Sequence, residues 1–299
     1  GKFPDPLAGG TCGGCVGGPG LKVQDSATLV SERPSTRHHA AITLLTTETA
    51  PVSEWRNRLD RLADGVRSLT PEKCRTAHRA WWRAFWDRSW IRVSGGPDAL
   101  TVSRGYALQN WIAACAGRGA QPIKFNGSLF TVDATLKDAR YNADYRSWGG
   151  PFWFQNTRLP YYAMTAAGHY DLMRPLFRMY TDALPLALER TRLYYKHEGA
   201  FFPETMYFWG TYVDDNYGRD RSKLPVGLTE NRYIRYLWEG GIELAVLMLD
   251  VYDHTGDAVF LKTTLAPLAT EIMLFYDLHY PREGGKIRFE PAQALETWW

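Results

Sequence analysis

The densest run of side chains able to do chemistry lies between Lys124 and Tyr162. There Asn126, Asp144, Arg146, Trp148, Trp153, Gln155, Asn156 and Arg158 alternate with glycines and rings. Amides, a guanidinium and carboxylates give several hydroxyl groups their donors and acceptors at once, and indole faces give apolar walls. A sugar, with hydroxyl edges and C–H faces, suits such a mixture. Taken singly, each of these residues also fits a structured loop whose polar side chains bind backbone.

Two further stretches carry carboxylates in apolar settings. In His197 to Thr205, ending at Trp209-Gly210, Glu204 follows Pro203 within an apolar run. A desolvated carboxyl group there would hold its proton toward neutral pH, as a general acid must. The plainer alternative is a helix cap or an ion-pair partner. In Pro291 to Trp299, Glu296 sits among Ala294, Leu295, Trp298 and Trp299. That setting favours a neutral acid able to protonate a glycosidic oxygen. His197 has no ligand partner at metal spacing. Asp214-Asp215-Asn216-Tyr217-Gly218 lacks the later bidentate Glu of a calcium loop and reads as a surface turn. No metal and no cofactor is implied.

The elements that must position these residues follow from periodicity. Residues 1–50 are rich in Gly, Ser and Thr, with a strand-like Ala40–Thr47, and read as the last strands of a β-domain. Residues 51–100 read as linker helices, one capped by Ser53 and one opened by Thr70-Pro71. Residues 101–299 read as helical hairpins joined by long, aromatic, glycine-rich loops. Their expected helices are Val102–Ala116, Asp171–Tyr195 interrupted at Pro175 and Pro185, Asn231–Tyr252 and Ala258–Leu278. Broad apolar faces and chemically rich connections on one side suggest a ring of hairpins rather than a bundle. The Gly240-Gly241 pair predicts a close helix contact.

Composition narrows the classes. A net charge of +3 over 299 residues, with no basic block, gives no sign of a nucleic-acid partner. Aromatic residues make up 14% of the chain, which leaves rings to spare for a binding surface. Four cysteines are too few for a disulfide framework, and Cys12-x-x-Cys15 lies in what reads as a glycine-rich turn. No apolar run approaches the ~18 residues of a membrane span. The loop-like start without Met and the abrupt apolar end suggest a piece of a longer protein, inactive alone, whose secretion signal lies outside it.

At the three stretches above, the chain resembles the six-hairpin glycosidases, above all glycoside hydrolase family 95 (α-L-fucosidase type) and related bacterial proteins of the DUF5703 type. Asn156-Thr157-Arg158-Leu159-Pro160-Tyr161-Tyr162 is similar to that family's Asn-x-x-Met-Asn-Tyr-Trp, and Pro291 to Glu296 to its Pro-Ser-x-Ser-Pro-Glu. Phe154 stands where the family has a second asparagine, and Ala294 and Leu295 replace the serine and proline before the acid. The resemblance covers about residues 20–299. It implies a mainly α protein, the end of a β-sandwich followed by the first part of an (α/α)6 toroid. It implies an inverting hydrolase that frees a terminal α-linked sugar from an oligo- or polysaccharide outside the cytoplasm. Glu296 would be the acid, Asn156 would hold the water with Gln155, and Glu204 would line the pocket or stand in as acid. Asn126, Trp148, Trp153, Arg158, His197 and Trp209 would contact the sugar. The second carboxylate would fall after Trp299. Two other readings stay open: a barrel that binds glycans without cleaving them, and a polysaccharide lyase on the same toroid using Tyr161, Tyr162 or His197 as base.

Overall fold

A computed structural model describes residues 2–48, 51–123, 140 and 150–294. Roughly half the chain is helical, and each of its sheets is a two-stranded antiparallel pair. The chain divides into two compact units, Gly1–Asp87 and Arg88–Trp299.

In the first unit, strands β1 (Thr11–Gly17) and β4 (Ala41–Thr47) pair with Cys15 opposite Thr43. Strands β2 (Leu21–Val23) and β3 (Leu29–Ser31) form a second hairpin. The sequence suggests a turn around Cys12 and Cys15; the structure makes it a strand. The ladder that makes it so comes from β4, about thirty residues away. Three residues apart on a strand, the two thiols leave from opposite faces and cannot chelate one ion together. Glycine is needed here because a Cβ at Gly13 would lie 2.9 Å from the Trp55 ring. That indole, on helix α1 (Val52–Arg67), donates to the Leu45 carbonyl at 3.1 Å and clamps helix to sheet. Ser53 lies inside the first turn of α1 and does not cap it. Thr70 does cap helix α2 (Pro71–Trp86), accepting from the Lys73 amide. Along α2 the i, i+4 pairs Trp81–Phe85 and Trp82–Trp86 stack.

The second unit begins with helix α3 (Pro97–Ala116). A short strand β5 (Phe152–Trp153) runs into helix α4 (Phe154–Thr157), and a right-handed Arg158 leads directly to helix α5 (Leu159–Ala166). Helix α6 (Tyr170–Tyr195) continues through both Pro175 and Pro185. Each proline costs about 3 kcal/mol of helix propensity. The helix face formed by Leu172, Met173, Leu176, Phe177, Tyr180 and Ala183 is wholly buried and outweighs that cost, while Pro175 is half-buried and Pro185 exposed. Strand β6 (Thr205–Met206) pairs with β5, Trp153 opposite Thr205. Asp214–Tyr217, read as a surface turn, is a single helical turn, α7.

The helix expected from Asn231 starts eight residues later. Asn231 caps a 3-10 turn, Arg232–Ile234, and its amide reaches Asn216 at 2.7 Å, which holds this stretch out of a helix. Helix α8 (Glu239–Thr255) follows. The close contact predicted at Gly240 is present: a Cβ there would meet the Phe154 ring at 2.9 Å. Helix α9 (Ala258–Phe260), a π-helical stretch Leu261–Leu265 and helix α10 (Ala266–His279) form one run. Among the described residues this run alone is long and apolar enough to cross a membrane. Leu265, Leu268, Ile272 and Phe275 are buried on one face of it, while Val259, Met273 and Leu278 are exposed. A hairpin of β7 (Arg282–Glu283) and β8 (Lys286–Ile287) follows.

Arg190, on the same helix as the prolines, is the unusual member of this core at 6% exposure. Its guanidinium donates to the Gly210 carbonyl and lies over the rings of Phe201 and Tyr212. Such cation–π contacts are worth about 0.5–2 kcal/mol each. Removing a cation from water costs several kcal/mol. The rings alone do not balance that cost.

Candidate functional site

The β5–β6 pairing brings Glu204 to the start of α4. The Glu204 carbonyl accepts from the Phe154 amide at 2.9 Å, and its Oε1 accepts from the Gln155 amide at 2.6 Å. Glu204 is 3% exposed. Its carboxylate therefore works as a cap, satisfying an amide that the helix leaves unpaired and facing the positive helix end. Tyr180 lies near it, and burial first, then the Glu204 charge, pushes the Tyr180 phenol well above its ordinary range. Of the two roles the sequence allows for Glu204, the cap is the one seen.

One turn further on, the side chains turn toward α8. Arg158 Nη1 donates to Glu243 Oε2 at 2.7 Å, and the Tyr162 hydroxyl donates to the other oxygen, Oε1. Glu239, one helical turn before Glu243, has no hydrogen bond among the described residues, though Arg158 is close enough to act on its charge. Burial holds both carboxyl groups above the usual glutamate range, and the Arg158 guanidinium partly offsets this. The result is a half-buried cluster of one guanidinium, one phenol and two acids. One acid is clamped; the other has only the Arg158 charge beside it among the described residues. The Glu239/Glu243 pair was legible as two acids at i, i+4 at the start of a helix whose middle is apolar, yet those apolar residues dominate that reading.

Beside this cluster, Asn156 is half-buried and its side chain makes no hydrogen bond among the described residues. Trp153 Nε1 and Gln155 Oε1 are shut off from solvent and have no hydrogen-bond partner among the described residues. Asn126, Trp148 and Glu296 lie outside the described residues, as do Asp144 and Arg146.

The approach to Glu296 is nevertheless fixed. Gln293, 4% exposed, accepts from the Tyr236 amide at 2.6 Å and donates to the Arg232 carbonyl at 2.9 Å. The Tyr280 hydroxyl donates to the Pro291 carbonyl at 3.0 Å. Residues 291–294 are thus fastened to the segment that enters α8, three residues before Glu239.

Other nominated residues sit in different surroundings. Trp209 stacks on Tyr207 at 4.6 Å in the turn after β6. His197 Nδ1 faces the Glu198 carbonyl at 2.7 Å and its Nε2 faces His279 Nδ1 at 3.0 Å. A carbonyl only accepts, so His197 Nδ1 donates to it, and in the neutral ring Nε2 accepts a hydrogen bond from His279 Nδ1. Rings of Tyr195, Trp238 and Phe275 enclose the pair. Tyr161 is wholly buried with its oxygen accepting from the Ile123 amide, and burial raises its phenol far above the ordinary range. Among the described residues no three His, Cys, Asp or Glu side chains gather as metal ligands.

Residues 1–91 match the family model DUF5703_N, described as a domain of unknown function (DUF5703). No curated protein matches the chain. The matched residues take in the β1–β4 ladder and helices α1 and α2. The Arg158–Glu243 cluster lies beyond them.

Proposed function

We propose that this chain carries part of a glycan-hydrolysing site, on the first part of an (α/α)6 barrel preceded by the end of a β-sandwich. One observation carries the reading. Two stretches singled out separately for their chemistry, 153–162 and 291–294, are both fastened to the start of α8, through Arg158–Glu243 and Gln293–Tyr236. Two acids, an arginine and a tyrosine then meet across α5 and α8, with Asn156 two residues from the arginine, the mixture of donors and acceptors that sugar hydroxyls require.

In this reading Glu296 protonates the leaving oxygen while Asn156, with Gln155, orients the water that attacks the anomeric carbon from the opposite face. Inversion sets the two carboxyl groups about 6.5–9.5 Å apart, with that water between them. Trp148, Trp153, Asn126 and Arg158 shape the sugar pocket, and a terminal α-linked, fucose-like sugar met outside the cytoplasm is the substrate class. A lyase needs a free base, and Tyr161, Tyr162 and His197 are each already engaged.

The test is sugar release from a panel of plant and host glycans by the full-length parent protein, with Glu296→Gln in parallel. Release by the parent that the variant loses supports the reading, and the freed sugar names the specificity. Equal release from both removes Glu296 from the mechanism. Binding without release from either favours a non-cleaving glycan receptor. An unsaturated product absorbing in the near ultraviolet would mean a lyase.

A further inference from the structure

In the second unit, α6, the C-terminal end of α8 and the run that opens with α9 border a groove of about 500 Å³. Small-ligand pockets measure about 300–1,000 Å³. Val251 and Thr255, on the α8 side, lie about two to three helical turns beyond Glu243. The groove is thus separate from the Arg158–Glu243 cluster, and the hydrolytic reading makes no use of it.

Its chemistry differs from wall to wall. On α6, Arg174 and Arg178 are exposed and stand at i, i+4 on one face of the helix. Arg178 pairs with Asp182 at 3.2 Å, and at such exposure the contact is weak enough for another anion to displace. Arg174 has no ion pair among the described residues. On the other walls the polar groups are acceptors. Thr255 gives its proton to the Val251 carbonyl and Thr263 to that of Val259, which leaves their oxygens able to receive a ligand hydroxyl. Asp257 spends Oδ1 on the Val259 and Phe260 amides and keeps Oδ2. Between these walls lie buried Phe177 and half-buried Phe260, with ring centres 5.7 Å apart. The π-helical stretch Leu261–Leu265 sets the Thr263 and Thr264 hydroxyls 3.4 Å apart on one wall, and such wide turns are rare and recur at functional sites.

Guanidinium groups only donate, and oxyanions suit them best. The threonine and Asp257 oxygens call instead for hydroxyl donors, and the rings for an apolar face. A polyphosphate would set its charges against Asp257. We propose that this groove binds an acidic sugar, with its carboxylate or sulfate ester on Arg174 and Arg178. Its hydroxyls would meet Thr255, Thr263 and Asp257, and a C–H face would lie on Phe260.

Calorimetric titration of the whole chain with trigalacturonate, a sulfated maltotriose and plain maltotriose tests the site. Binding of either acidic probe that weakens about tenfold or more in Arg174→Gln/Arg178→Gln supports it, and the tighter probe names the oxyanion. Equal binding of all three, binding that the double variant keeps, or no binding of either acidic probe overturns it. Hydrogen exchange of the unaltered chain locates the ligand without any substitution. Slowed exchange over residues 174–181 and 255–264 supports the groove. Slowing confined to 153–162 and 236–243 would put the ligand at the Arg158 cluster and overturn it. Neither readout uses sugar release, so a chain that cleaves nothing can still pass both.

Discussion

Arg158 and Glu243 meet at 2.7 Å between the turn that follows α4 and the second turn of α8, with side-chain exposures of 20% and 29%. Tyr162 occupies the second oxygen of the same carboxylate. The pair joins two segments 85 positions apart, and it does so beside a second acid, Glu239, with no hydrogen bond among the described residues.

Removing the arginine should therefore cost more than the ion pair alone. Arg158→Met leaves Glu239 and Glu243 facing each other without a cation. A loss of about 1–3 kcal/mol is expected, less than for a fully buried pair because water still reaches this one. Glu243→Gln keeps one acceptor oxygen for Arg158 and turns its amide, as donor, to the Tyr162 hydroxyl, and should cost less. Urea midpoints of the two variants check the order.

The Glu204 carboxylate is read here as a helix cap, which makes a graded prediction. Glu204→Gln retains a carbonyl oxygen for the Gln155 amide and should lose under about 1 kcal/mol, whereas Glu204→Ala should lose about 1–3 kcal/mol. If Glu204 is also the acid of a sugar-cleaving reaction, Glu204→Gln would abolish turnover with stability intact. Stability and sugar release measured side by side separate the two roles.

Gln293 fastens residues 291–294 to the entrance of α8 through the Tyr236 amide and the Arg232 carbonyl. Gln293→Ala leaves both groups without their side-chain partner, an expected loss of about 1–3 kcal/mol. Hydrogen exchange at the Tyr236 amide should quicken more than at Phe275 in α10. Unchanged exchange at Tyr236 would mean the tie contributes nothing.

The His197–His279 pair predicts an acid-sensitive core. Burial first, then the neighbouring His197, lowers the His279 pKa from 6.5 to about 4. Between those values the unfolded chain binds a proton that the folded chain refuses. Stability contributed by neutral His279 is thus complete above about pH 6.5 and falls as the pH drops toward 4. Allowing for partial exposure, the loss should be about 1 kcal/mol. His279→Phe should flatten the dependence of the urea midpoint on pH over this window.

Much of the helical frame was legible because it rests on local rules. Thr70-Pro71 opens a helix by capping and by a preset φ, and Gly240 announces close packing because a larger residue would strike Phe154. The carboxylate in an apolar run at Glu204 was equally visible. What could not be read locally depended on partners far along the chain. Glycine-rich 11–17 became a strand because β4 presented a ladder. Prolines 175 and 185 stayed within one helix because a continuous buried face held it together. Asn231–Trp238 stayed out of a helix because Asn216 held it back. The sequence by itself determined which side chains could do chemistry and where most helices begin. Only the tertiary structure decided that Glu204 caps a helix, that Glu243 is clamped by Arg158 and Tyr162, and that Arg190 is buried over the rings of Phe201 and Tyr212. Each of those depends on which groups meet across tens of residues, and on how much water is left between them.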